Sequence, residues 1–474
     1  MKILRQRGDV NSDSSDEYGR TPLSYAAELG HEGIMEILLE RRDVNSDSSD
    51  WNSRTPLSYA TQSGHEDIVK ILLQRGDVNS DPSDKYGRTP LSYAAGSGHE
   101  SIIEILLEQG DVNSDRSDND GRTPLSYTAE SGLEGIVKIL LGRGDVNWDP
   151  SDNDGRTPLS FAAQYGHEGI VKILLEQGDV NSDSLDKYGR TPLSLAAESG
   201  HEGVVMILLE RRDVNSDPSD GYGRTPLSFA ARYGHEGIVK ALLERGDVNS
   251  DSSDEYGRTP LSYAAESGHE GIVKRLLERG DVNSDPSDNN GQTPLSYAAA
   301  SGHEGIVKIL LERGDVNPDP SDEYGRTPLS HAAASGHEGV VKILLERGDV
   351  NPDPSDNHGQ TPLSHAAGYG REGVVKILLE RGDVNPESSD NDGRTPLGHA
   401  EWCQRIGVVR LLSESRSFSH ETLQTGDLRL KVSNPAPSAT EQVEPGPVSQ
   451  QGIPPDTKHE IRETTPPPRP ANLH

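Results

Sequence analysis

Apolar positions along the chain recur in two alternating stripes. In the stretch Thr259 to Gln292, TPLSYAAESGHEGIVKRLLERGDVNSDPSDNNGQ, Leu261, Ala264 and Ala265 stand at i, i+3 and i+4, a short helical face of small residues. Ile272, Val273, Leu276 and Leu277 form a second, bulkier face. The pattern predicts a first helix with Thr259 as N-cap, Pro260 in the first turn where its missing N–H goes unnoticed, and Gly268 as C-cap. A second helix is predicted over Glu270–Arg279, with Glu270 near the positive end of its dipole and Gly280 ending it. Glu270 and Lys274 are four apart in the favourable order, as are Glu168/Lys172, Glu304/Lys308 and Glu338/Lys342, so an ion pair is expected in each. The remaining residues, Asp281 to Gln292, are Asp, Asn, Ser, Pro and Gly, which is turn chemistry.

The same phrase runs the length of the chain. Thr-Pro-Leu begins at Thr21, Thr55, Thr89, Thr123, Thr157, Thr191, Thr225, Thr259, Thr293, Thr327, Thr361 and Thr395, twelve copies in steps of 34 residues. We number these units one to twelve. Two helices of about ten residues and a polar loop cannot bury an apolar face alone, so each unit must lean on its neighbours. The implied fold is an all-α solenoid of helix-turn-helix units with connecting loops.

The phrase Thr-Pro-Leu, the Ala-Ala pair, Gly-His, the Ile-Val-x-x-Leu-Leu run and Asp-Val-Asn resemble the ankyrin repeat in position and order over about residues 1–413. The resemblance implies an ankyrin-repeat solenoid. Three features depart from the family's pattern. Ser24, Ser58 and Ser92 stand where His is usual, the Ala of Gly-Ala-Asp-Val-Asn is missing, and Gly opens the second helix in ten of twelve units, as at Gly33, Gly169 and Gly271. Interior glycine costs up to about 1 kcal/mol, so this third feature is expected to soften the array.

Residues 1–20 align with the second half of a unit, so the chain begins mid-repeat and the face of Leu23, Ala26 and Ala27 is expected to lie partly uncovered. The array proper spans 21–413. In unit twelve Gln404 and Arg405 replace the usual Gly and His, and Trp402 is expected to cover the last apolar face. Residues 414–474, with Pro466-Pro467-Pro468 among their prolines, read as a disordered tail.

Composition narrows the class. The 474 residues carry 46 Lys+Arg against 78 Asp+Glu, so 46 − 78 gives −32, and a polyphosphate would be repelled before contact. Nucleic acid is therefore not an expected partner. The single Cys403 excludes an intrachain disulfide framework. The first residues lack a secretory apolar run, and no stretch approaches 18 apolar residues, so an intracellular protein, cytoplasmic or nuclear, without a membrane span is expected.

Recurrent motifs invite chemistry that the residues do not support. Arg-Gly-Asp recurs, as at Arg75 and Arg279, but it reads as helix end, cap and turn. Loops such as Asp111 to Gly121 alternate oxygen ligands, yet Arg116 and Arg122 stand where a calcium loop wants Gly and a bidentate Glu. The histidines His31, His65, His99, His167, His201, His235, His269, His303 and His337 form a ladder whose rungs, roughly 8 to 10 Å apart, cannot share a metal. Ser24 and His31 lack an orienting acid. No catalytic residue, metal or cofactor is expected, and no G-x-x-x-x-G-K-[ST] segment is present.

Variation between units concentrates at the pair after Ala-Ala, as at Tyr165, Arg232, Tyr233 and Tyr369, and at the pair before the loop glycine. In the resembling family these positions and the loop tips line a concave partner-binding face. Tyrosine and arginine dominate such interfaces. Tyr165, Arg232, Tyr233 and Tyr369, with tip residues Tyr188, Tyr222 and Tyr324, are the candidate partner-binding residues. The expected function is a non-enzymatic interaction scaffold gripping a protein with a basic patch. Near-identical units, the 34-residue period and the mid-repeat start also resemble the sensor arrays of large fungal NLR-like, NACHT-ankyrin proteins. The alternatives are an acidic cation-binding or spacer protein, or a truncated fragment without a separate role.

Overall fold

A computed structural model describes residues 12–178 and 180–426, with side chains placed as far as Arg416. Among these residues 24 helices form and no strand. Unit eight shows how the sequence builds its pair. Thr259 is extended, and its hydroxyl accepts the Ser262 N–H at 3.3 Å, closing the start of the helix Pro260–Ser267. Gly268 turns left-handed at φ +85° and donates to the Ala264 carbonyl. The second helix is Glu270–Leu277, shorter than the predicted Glu270–Arg279. Gly280 does not cap it. Arg279 instead leaves the helical path, donating from Nη1 to the Leu243 carbonyl of unit seven at 2.6 Å and gripping Asp281 at 2.9 and 2.8 Å. The recurrent Arg-Gly-Asp is thus a clasp between units.

First helices pack on first helices and second on second, with each pair closed against itself. The first-helix layer is the more tightly packed of the two. Its contact residues explain this: Ala264 and Ala265 are fully buried, whereas the second layer interposes Ile272, Val273, Leu276 and Leu277. One core runs without a break from Leu23 to Leu412.

Polar bonds stitch each seam. Between units seven and eight, His269 Nε2 donates to the Arg232 carbonyl at 3.1 Å, the Asn283 N–H reaches Asp251 Oδ2 at 2.9 Å, and the Asn289 N–H reaches the Tyr256 carbonyl at 2.9 Å. The expected ion pairs Glu168/Lys172, Glu270/Lys274, Glu304/Lys308 and Glu338/Lys342 do not form. Each glutamate leans forward over the next unit's glycine: a Cβ on Gly203, Gly305, Gly339 or Gly373 would lie within 1.8 Å of that carboxylate. The glycine of the second helix is the socket for the preceding unit's glutamate, and the carboxylate rests by the positive end of a helix. Socket and pair coexist at Glu134, which faces Gly169 and meets Lys138 at 2.6 Å, and at Ser101, where the glycine is replaced, Glu66 bonds that hydroxyl and pairs with Lys70.

The ends differ from expectation. Leu23, Ala26 and Ala27 are buried rather than partly uncovered. Trp402 covers nothing: it is 75% exposed, because its place in the period is that of the outward-facing Arg232, and Arg394 lies over its ring. Gln404 adopts φ +57° in the place of glycine. The last helix runs Ile406–Gly426, past the 413 boundary, since no proline or glycine interrupts Val408 to Thr425. Residues 1–11 of the opening partial unit, and the expected tail from 427 onward, lie outside the described residues.

Candidate interaction surface

The loop before each unit is organised by one aspartate, buried in every unit but the first. Asp254 Oδ1 accepts the N–H of Tyr256 at 2.9 Å and of Arg258 at 2.8 Å, while Oδ2 receives the Tyr263 hydroxyl. This holds the tip in a tight turn and aims residue 256 outward. At Asp50 burial pushes the carboxyl up, but the Tyr59 hydroxyl and the N–H groups of Arg54 and Asn52 outweigh it and keep the acid below its ordinary range. In the ten units where an arginine follows the tip, its guanidinium lies over one or two aromatic rings. Arg258 covers Tyr263 and Tyr297, at 4.4 and 4.7 Å to the centroids, bridging two successive units.

The candidate residues fall into two rows. Tyr165, Tyr233 and Tyr369 end the first helices Pro158–Tyr165, Pro226–Tyr233 and Pro362–Tyr369. Tyr188, Tyr222 and Tyr324 stand at loop tips. All six rings are 43 to 58% exposed, and Arg232 is exposed as well. Arg232 meets Tyr233 at 5.7 Å and reaches across the seam to Tyr263 at 5.5 Å. Tyr165 stacks beside His167 and donates to Glu130 of the previous unit at 3.4 Å; partial burial, then Glu130, raises its pKa. Tyr188 and Tyr222 occupy adjacent tips joined by the Gly221 N–H to the Tyr188 carbonyl at 2.7 Å. Tyr324 and Tyr369 are separate from these.

Sequence reasoning missed Tyr256, which continues the tip row through the Glu255 N–H to the Tyr222 carbonyl and makes three successive tyrosines. Tyr18, Trp51 and Tyr86 are also exposed at the tips. Their signal was available: Tyr18, Tyr86 and Tyr256 precede Gly-Arg at the same point of the period as Tyr188. The histidine ladder binds main-chain carbonyls, His65 to Glu28, His167 to Glu130 and His303 to Glu266. Among the described residues no three His, Cys, Asp or Glu side chains converge to hold a metal ion. None of the described helices is long and apolar enough to cross a membrane.

Comparison with known families agrees with this architecture. The family described as Ankyrin repeats (3 copies) matches residues 1–82, 78–149, 143–218, 213–285, 281–356 and 349–422. The chain belongs to the ankyrin-repeat family, whose arrays are general protein–protein interaction modules. The search of curated proteins returned no match.

Proposed function

We propose that the protein is a non-enzymatic recognition scaffold that holds a protein partner along its first-helix ends and loop tips. The observation that carries the reading is the pair of aromatic rows, with Tyr188, Tyr222 and Tyr256 on successive tips and Tyr165, Arg232 and Tyr233 on helix ends, over turns fixed by buried aspartates. A stack with one closely spaced layer bends toward that layer, so the tight Ala-Ala packing favours these rows on the inner, concave side. A charge of −32 favours a partner with a basic patch. An intracellular setting, and membership of a larger NLR-like protein, are finer readings; the second rests on the near-identity of the units and is tested by whether a phosphate-binding G-x-x-x-x-G-K-[ST] segment is encoded upstream in the same frame.

Photo-crosslinking tests the surface. A benzophenone side chain replacing Tyr222 or Tyr233 is expected to capture one defined protein in cells, whereas the same group at exposed Glu176, just after the second helix Glu168–Leu175, captures none. Tyr222→Ala and Tyr233→Ala are expected to weaken that complex at least tenfold. Equal capture from all three positions contradicts the reading.

A further inference from the structure

In the second-helix layer two departures from the repeat's pattern fall side by side. Eleven of twelve units carry Lys, Arg or Glu at the position that Met206 occupies in unit six. Nine units carry isoleucine at the position of Ala241 in unit seven, and in unit six that isoleucine is Ile207. These two departures meet across one seam. Trading a charged stem for a thioether and removing most of an isoleucine leaves a notch of about 190 Å³ lined by Met206, Leu209, Glu210, Ala241, Glu244 and Arg245. Met206 is 45% exposed, while Leu209 and Ala241 form a buried floor. The two flanking helices, Glu202–Glu210 and Glu236–Glu244, are each nine residues long, one more than the second helices on either side, which carries Glu210 and Glu244 out to the rim.

The rim is acidic. Glu210 and Glu244 are exposed, and Glu244 makes a long, solvent-exposed ion pair with Lys240 at 3.8 Å. Arg245 does not neutralise them: its guanidinium is committed to Asp247 and to the Leu209 carbonyl. A cavity of roughly 150 Å³ holds a benzene ring, so this volume admits one large apolar side chain and little more. We propose that the notch is a docking point for a single phenylalanine or leucine presented by a protein segment with Lys or Arg on either side of it. Burying such a side chain against Met206 and Leu209 removes apolar surface from water, and the flanking cations meet the two glutamates. The site is separate from the aromatic rows and does not depend on them.

The test follows the methyl signal of Met206, one of three methionines, by NMR in the full chain labelled at methionine methyls. The probes are capped pentapeptides Lys-Lys-Phe-Lys-Lys, Lys-Lys-Ala-Lys-Lys and Glu-Glu-Phe-Glu-Glu. The first is expected to shift the Met206 methyl saturably, with the other two at least tenfold weaker. Ala241→Ile, which restores the residue of nine other units and so keeps the fold, is expected to weaken the first peptide at least tenfold. Tyr222→Ala is expected to leave it unchanged. No shift at Met206, equal binding of the phenylalanine and alanine peptides, or unaltered binding in Ala241→Ile would each overturn the proposal.

Discussion

At the scale of single residues the repeat is a set of sockets. A Cβ on Gly268 would meet His303 of the next unit at 2.6 Å, and the left-handed φ adds strain, so cap and seam are the same glycine. Ser53 shows the cost of losing one such glycine: it takes φ +61° at a loop tip where neighbouring units place Gly19 and Gly87. Ser53→Gly is expected to raise stability by about 1 kcal/mol, read from the urea midpoint at constant slope; no change would mean the strain is absorbed elsewhere. The second-helix glycines divide in the same way. Gly33 has nothing within 4 Å, whereas Gly305 faces the Glu270 carboxylate. Gly33→Ala is therefore expected to stabilise by up to about 1 kcal/mol, while Gly305→Ala gains nothing net because it evicts the glutamate from a helix terminus. Thr259, Pro260 and Gly268 could be assigned from sequence because caps act within a few residues. The glutamate socket could not, since Glu236 and Gly271 are neighbours only through the stack, and within its own helix the glycine reads as a weakness.

At the scale of elements, the loop aspartate pairs with tyrosine in units one to four, eight and nine, and with histidine in units ten, eleven and twelve. His331 meets Asp322 at 3.1 Å and His365 meets Asp356 at 3.0 Å. Burial lowers both histidine pKa values below 6.5; Arg326 adds to this at His331, while Asp322 and Asp356 oppose it. A depressed base contributes stability that is present above the unfolded pKa and lost as pH falls through the folded one. Hydrogen exchange of the helices Pro328–Ser335 and Pro362–Tyr369 should therefore lose protection as pH falls below 6.5, relative to Pro260–Ser267, after correction for intrinsic rates. His331→Tyr should remove the difference in unit ten. Parallel protection throughout would show that these pairs do not tune the local fold. The helix ends were less legible than the starts. Gly280 looked like a cap, but the nearby Arg279 is drawn to a carbonyl of the preceding unit, a partner that lies 36 residues away in the chain.

At the scale of the whole array, the column Asp47, Asp149, Asp217, Asp251, Asp285, Asp319 and Asp353 follows one edge, each with a buried Oδ1 that finds no partner. Burial is the largest cause of their raised pKa values, and at Asp251 the nearby Asp281 adds to it. A raised acid contributes stability that is fully present below its unfolded pKa and lost as pH rises through the folded one. The thermal midpoint of the array is thus expected to climb as pH falls from neutrality toward 3.8, where the relief of a −32 charge acts in the same direction. A midpoint that falls steadily over that range would show that the clasped aspartates, such as Asp247 with its pKa lowered to about 2 mainly by Arg245, dominate instead. The period made the stacked architecture readable at once, because twelve phased copies leave few alternatives. The aromatic rows were readable only in part: Tyr256 joins Tyr188 and Tyr222 only once the tips are set in register along the stack. The notch was not readable at all, since Met206 and Ala241 are unremarkable until the seam sets them side by side.

Each helix pair is ordered by its neighbours through shared apolar faces and seam bonds. The most direct measurement is the thermal unfolding of arrays of one, three, six and nine units cut at successive Thr-Pro-Leu starts, followed by helical circular dichroism. A single unit should be unfolded, and the midpoint should rise steeply with the first added units before levelling off. A lone 34-residue unit that is helical and melts cooperatively at the temperature of the longer arrays would contradict the account.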